Sequence, residues 1–308
     1  ELADLEELAN SGVVAFSDDG DPVYDANLMR LALTYSYDLG LPISDHCQDR
    51  SLSCNGVMAE GAVATRLGLA GIPAAAEEGM VARDIALAEM TGGRLHLAHL
   101  STAGSILLLR QAKERGLPVT AEVCPHHLTM TEQWVMGSKG APTDYASKFA
   151  YETSTKVYPP LRSQFDVDVL VDALSEGLID AIATDHAPHA PHAKELPFDQ
   201  APPGMLGLET AFALTLGESG LDLPEVLALL SWKPAAIAGV ADRHGAPILP
   251  GNPANLCVID PDEVWKVSGA AMASRSCNTP YEGRHLRGRV RHTLRAGEPV
   301  VVDGEARR

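Results

Sequence analysis

Five times along this 308-residue chain a short apolar run rich in β-branched residues ends in a cluster of polar side chains. The runs at 13–16, 41–44, 94–98, 117–123 and 180–183 lead into Ser17-Asp-Asp-Gly20, Asp45-His-Cys-Gln-Asp49, His99-Leu-Ser-Thr102, Cys124-Pro-His-His127 and Thr184-Asp-His-Ala-Pro-His189. Helical patterning follows most of them, at 26–39, 56–67, 75–90, up to Arg115, and at 208–216. Short strands alternating with helices predict a parallel sheet of right-handed βαβ units. An open doubly wound sheet places its ligand at one switch point, not at every strand tip. Polar groups at all five tips therefore favour an α/β barrel, whose chemistry sits at the C-terminal ends of its strands.

The run 179–189 is the most informative. It packs Asp185, His186 and His189 into five residues after a buried strand. Polar groups there are costly to bury unless a metal or a substrate engages them. After Gly245 the texture changes. Segments 254–260, 264–267, 286–294 and 299–302 read as strands joined by Gly, Pro and Asp turns, so 1–245 is expected to form the barrel portion and 246–308 part of a small β domain.

The formal net charge of −17 argues against non-specific nucleic-acid binding and gives no reason to invoke a membrane surface. A small anionic substrate would need a locally positive site such as a metal centre. The five cysteines are scattered, without a Cys-x-x-Cys pair, which points to a reducing cytoplasm. Residues 1–10 read as an amphipathic helix running straight into a strand with no initiator Met, as if the sequence began in the middle of a fold.

Asp19, His46, His99 and Asp185 each follow a buried strand, and a barrel would converge them on one mouth. Two imidazoles and two carboxylates suit a borderline ion such as Zn²⁺, and a shared carboxylate suits a pair of ions. The bland alternatives are real. A single histidine at a strand end is usually structural, Asp18-Asp19-Gly20 also makes a turn, and His126 and His127 need touch no metal. Concurrence at four tips favours the metal reading.

Phe16-Ser-Asp-Asp-Gly20, Asp45-His-Cys-Gln-Asp49, His99-Leu-Ser-Thr102, Glu122-Val-Cys-Pro-His-His-Leu128, Pro159-Pro-Leu-Arg162, Ala183-Thr-Asp-His-Ala-Pro-His189, Glu195-Leu-Pro-Phe198, Gly207-Leu-Glu-Thr210 and Asn278-Thr-Pro-Tyr-Glu-Gly283 occur in this order. Together they resemble the dihydroorotases of the amidohydrolase superfamily, of the bacterial type with a metal-bridging aspartate. The resemblance implies the C-terminal portion of a distorted (β/α)8 TIM-type barrel, about five βα units, plus part of a β domain. It implies a zinc-dependent, cytoplasmic enzyme of pyrimidine biosynthesis that interconverts N-carbamoyl-L-aspartate and L-dihydroorotate. In that scheme a metal-bound hydroxide attacks the ring amide and Asp185 is general acid/base and metal ligand. The site would hold one or two Zn²⁺ ions. Asp19 would bridge the two metals with Asp18 as its non-ligand neighbour, Asp185 would ligate the first ion, His46 and His99 would bind the second, and His189 with Pro203-Gly204 would contact substrate. His186 is given no role.

Two departures stand out. The family's His-x-His pair and nearby Arg at the first barrel strand have no match, so roughly three βα units are expected to be missing. The chain is thus expected to be a fragment or to be complemented by an N-terminal segment. Tyr158 stands where an Asn is expected to bond the substrate ring, and it cannot reproduce an amide's paired donor and acceptor. Residues 137–147 add a polar insertion. Homo-oligomerisation or association with aspartate transcarbamoylase is implied by the resemblance. The rival readings are dihydropyrimidinase or allantoinase, or a non-catalytic subunit that scaffolds a transcarbamoylase. Ser17-Asp-Asp-Gly20 disfavours the first two, which carry a modifiable lysine at this tip.

Overall fold

The computed structural model describes residues 2–18, 20–139 and 149–307. Asp19 and most of the insertion therefore lie outside the described residues. The central sheet is parallel, in the order β1 (Phe16–Ser17), β2 (Ile43–Asp45), β5 (Leu95–Leu97), β6 (Val119–Val123) and β7 (Ala181–Ile182). Its register runs Phe16 to Ile43, Ile43 to Leu95, Leu95 to Val119 and Glu122 to Ala181, so every strand ends at the same rim.

Local chemistry explains the helices between strands. Asp25 accepts from Asn27 and Leu28 N–H at the start of Ala26–Leu39, which ends at Gly40 with φ 69°. Thr102 caps Ala103–Glu114 through Ser105 N–H, and Ser163 with Asp166 forms a capping box on Gln164–Ser175. Met29, Leu33, Val81, Leu95, Leu97, Leu109 and Leu170 pack between helices and sheet as one core.

Two expectations need correction. Residues 56–67 are not one helix. Met58–Ala59 (β3) pairs in parallel with Gly71–Ile72 (β4), and only Ala62–Leu67 is helical. Gly56 explains part of this: a Cβ there would lie 2.8 Å from Gly71 O, so only glycine permits the approach. Residues 254–260 and 264–267 are one strand, Leu256–Lys266 (β8), which continues through an irregular register where Asp260 turns its carboxylate back onto Asp262 and Glu263 N–H.

β8 pairs antiparallel with His285–Arg295 (β9), which pairs with Glu298–Val302 (β10), followed by Glu305–Ala306 (β11). A second core gathers Met130, Trp134, Leu161, Met205, Leu214, Val267 and Tyr281 with Leu286 of β9. Among the described residues, no helix is long and apolar enough to cross a membrane.

Candidate metal and substrate site

The tips of β2, β5 and β7 carry His46, His99 and Asp185 at one rim of the sheet. The two imidazole rings lie 4.7 Å apart between centroids. His99 and Asp185 both hold positive φ, 33° and 44°, a conformation rare outside glycine and concentrated at functional sites. Burial, reinforced by the charge of His46, brings His99 down to about 4, so it is a neutral imidazole. Its Nδ1 is buried without a hydrogen-bond partner. Burial raises Asp185 to about 6, against the pull of His46 and with the repulsion of Glu122. An orphaned ring nitrogen, a second imidazole and a carboxylate are donor types that suit a borderline cation.

Asp18 is engaged more closely than its reading as a bystander implied. One carboxylate oxygen contacts His46 Nδ1 and the other accepts His46 N–H at 3.0 Å. Burial opposes a charged His46, but the Asp18 carboxylate outweighs it and raises the imidazole. Glu122 is anchored by His96 Nε2 at 3.1 Å and faces both His99 and Asp185.

The substrate residues also converge. His189 Nε2 lies 2.8 Å from Pro203 O. Gly204 has φ 131°, and a Cβ there would meet Ala187 Cβ at 2.5 Å and His189 Nε2 at 2.9 Å, so the position requires glycine. Asn278 ties these segments together: its Nδ2 donates to Ala187 O and Gly204 O, and its Oδ1 accepts His189 N–H. Two buried lysines hold the same loop. Lys156 Nζ donates to the carbonyls of Phe198 and Ala201, and Lys194 Nζ to those of Pro202 and Gly204. Tyr158 is half-buried and lines a cleft with Asn55, Lys156, Asp199 and Pro203. His186 gains a structural role, since its Nδ1 accepts N–H from Gly207 at 3.1 Å and Leu208 at 3.3 Å.

Sequence reasoning missed the support beneath His99. Glu77 is buried at 1% exposure and accepts Ser101 N–H (3.0 Å), Thr102 N–H (3.1 Å) and both hydroxyls. Arg162 Nη2 lies 3.7 Å from Glu77, while its Nε donates to Ser101 Oγ and its Nη1 to Ile72 O. Arg162 and Asn278 sat inside recognisable motifs without a role. Nothing in the sequence pattern singled out Glu77.

Residues 1–105 match the family model described as dihydro-orotase-like. The chain is 48% identical over 307 residues to a dihydroorotase of Pelotomaculum thermopropionicum, covering 98% of this chain and 68% of that protein. It is 47% identical over 311 residues to a dihydroorotase of Anaeromyxobacter dehalogenans, covering all of this chain and 69% of that one. Among solved structures, a D-hydantoinase (dihydropyrimidinase) from Thermus sp. superposes with TM-score 0.82 at 25% identity, over 98% of this chain and 67% of the other. That likeness supports the amidohydrolase barrel, and the far higher sequence identities decide between its branches. The chain belongs to the dihydroorotase family.

Proposed function

We propose that the protein interconverts N-carbamoyl-L-aspartate and L-dihydroorotate, with residues 1–245 as its barrel portion and 246–308 as part of a β domain. The observation that carries this is the convergence of His46, His99 and Asp185 at one rim, in a chain nearly half identical to dihydroorotases. His46, His99 and Asp185 would hold a borderline cation such as Zn²⁺, with Asp19 as the proposed bridge if two ions bind. When bound, the ion supplies Lewis-acid polarisation of the scissile carbonyl.

The remaining chemistry belongs to the side chains. In hydrolysis, water oxygen bonds to the ring carbonyl carbon as the ring C–N bond breaks. Asp185 takes the water proton and delivers it to the departing nitrogen. In cyclisation Asp185 takes the proton from the ureido nitrogen as that nitrogen attacks the carboxyl carbon, and returns it to the departing water. His189 and the Pro203-Gly204 backbone orient the substrate, and Tyr158 borders it in place of an amide. Homo-oligomerisation and association with aspartate transcarbamoylase are proposed from the family alone. The hydantoinase-like fold favours testing a second reading, a cyclic amidase of other rings. Turnover of N-carbamoyl-L-aspartate, hydantoin and allantoin by metal-reconstituted protein separates the two. Dihydroorotase turnover that survives Asp185→Ala would refute the mechanism.

A further inference from the structure

The tip of β6 carries a second donor set that the proposed reaction does not use. Cys124 Sγ and one nitrogen each of His126 and His127 lie within 4.8 Å of one another, and all three residues are buried. The two rings sit 4.3 Å apart between centroids. His126 Nε2 and His127 Nδ1 have no hydrogen-bond partner, although each imidazole is only 2% exposed. Leaving a buried polar atom unsatisfied costs on the order of 1–3 kcal/mol, so two adjacent ones call for an explanation.

His127 supplies one. Its Nε2 lies 3.0 Å from the carbonyl oxygen of Pro159, which fixes the proton on that nitrogen and leaves a lone pair on Nδ1. A ring that donates one N–H to a backbone carbonyl while its other nitrogen is buried without a partner has the arrangement of a metal-ligating histidine. The chain path helps: Cys124 ends the strand in an extended conformation and Pro125 begins the short helix, so Cys124, His126 and His127 fold around one point.

We propose that Cys124, His126 and His127 form a structural site for a thiophilic d10 cation such as Zn²⁺, built from residues other than the neighbouring donor set of His46, His99 and Asp185. One sulfur and two imidazole nitrogens, with no carboxylate, exclude Mg²⁺ and Ca²⁺ and select a soft or borderline ion. Binding replaces the thiol S–H bond with a metal–sulfur bond and releases that proton to solvent. Metal–sulfur and metal–nitrogen bonds of about 2.0–2.3 Å require the three side chains to close by about an ångström, within the reach of rotamer adjustment. The ion would pin the β6 tip to the loop at Pro159, next to Tyr158.

Cobalt titration of the metal-stripped chain tests this, because the other proposed set contains no sulfur. The expected result is a sulfur-to-cobalt charge-transfer absorption that Cys124→Ser abolishes. It should persist in Cys47→Ser, which removes the other buried thiol, and in a variant with Cys54, Cys257 and Cys277 all changed to Ser. If Cys124→Ser does not fold, cadmium NMR of the unaltered chain should give a resonance in the range of mixed sulfur and nitrogen coordination. No sulfur-dependent band, a band that survives Cys124→Ser, or only nitrogen- and oxygen-type cadmium resonances would overturn the proposal.

Discussion

Replacing Glu77 by Gln isolates the support beneath His99. The carboxylate accepts from Ser101 and Thr102 through both backbone and hydroxyl groups, and it faces the buried guanidinium of Arg162. Burial alone would raise Glu77, but Arg162 and the Ser101 hydrogen bonds hold it below the ordinary range, so the folded state contains the ion. The amide keeps one acceptor oxygen but turns an NH₂ toward a guanidinium, which leaves Arg162 as an uncompensated charge at 4% exposure. Breaking such a pair from one side costs about 3–5 kcal/mol. Urea unfolding should show that loss for Glu77→Gln, and Glu77→Gln with Arg162→Met should recover part of it because the orphaned charge is gone. The same substitution loosens the segment after His99, so metal affinity measured by competition with a chelator should fall about 10–100-fold. A cost under about 1 kcal/mol, or strict additivity in the double variant, would refute the assigned role.

Other consequences are equally direct. Asp185→Asn should lower kcat by about 10²–10⁴-fold in steady-state assays, since the amide cannot carry the proton. Gly204→Ala should raise KM more than it lowers kcat, because its Cβ would push against Ala187 and His189. Asn278→Ala leaves the His189 N–H and two carbonyls without a side-chain partner and should cost about 1–3 kcal/mol in urea unfolding. The metal-stripped chain should also be acid-labile. His99 and His127 titrate at about 4 in the folded state against an ordinary 6.5, so the unfolded chain binds protons first as pH falls. Stability is then present above 6.5 and lost toward 4, by about 2 kcal/mol per histidine at pH 5. Urea midpoints of His127→Gln and unaltered chain, compared at pH 7 and 5, should converge at the lower pH. An unchanged gap would contradict the buried neutral imidazole.

How much was legible depended on whether a signal was local. The helix 26–39 carried its cap, its apolar face and its terminal glycine in sequence, and it forms as Ala26–Leu39. The parallel strands were visible as apolar runs with polar ends, so the placing of His46, His99 and Asp185 past strands of one sheet was legible. Residues 56–67 misled because they were read as one helical segment, while Gly56 and Gly71 mark a close backbone approach between segments 15 residues apart. Glu77 was invisible for a similar reason. A glutamate in a helix reads as solvated unless the partners are known, and its partners come from two other segments.

The same distinction bears on why the site needs so much support. His99 and Asp185 each sit in left-handed backbone, which costs a non-glycine residue on the order of 1–3 kcal/mol. Neither residue's own sequence neighbours remove that cost. After His99, Leu100 N–H is held by Glu122 O, and Ser101 and Thr102 by Glu77. After Asp185, His186 accepts from Gly207 and Leu208, and Ala187 N–H bonds Met205 O. In both places the two residues past the strained one are fixed by hydrogen-bond partners distant in sequence, so the proposed ligand cannot relax without breaking those bonds. A flexible tip would let each side chain find solvent. A pinned one holds the unpartnered Nδ1 of His99 and the raised carboxyl of Asp185 in fixed places at the rim, as the proposed ion binding and proton transfer would require.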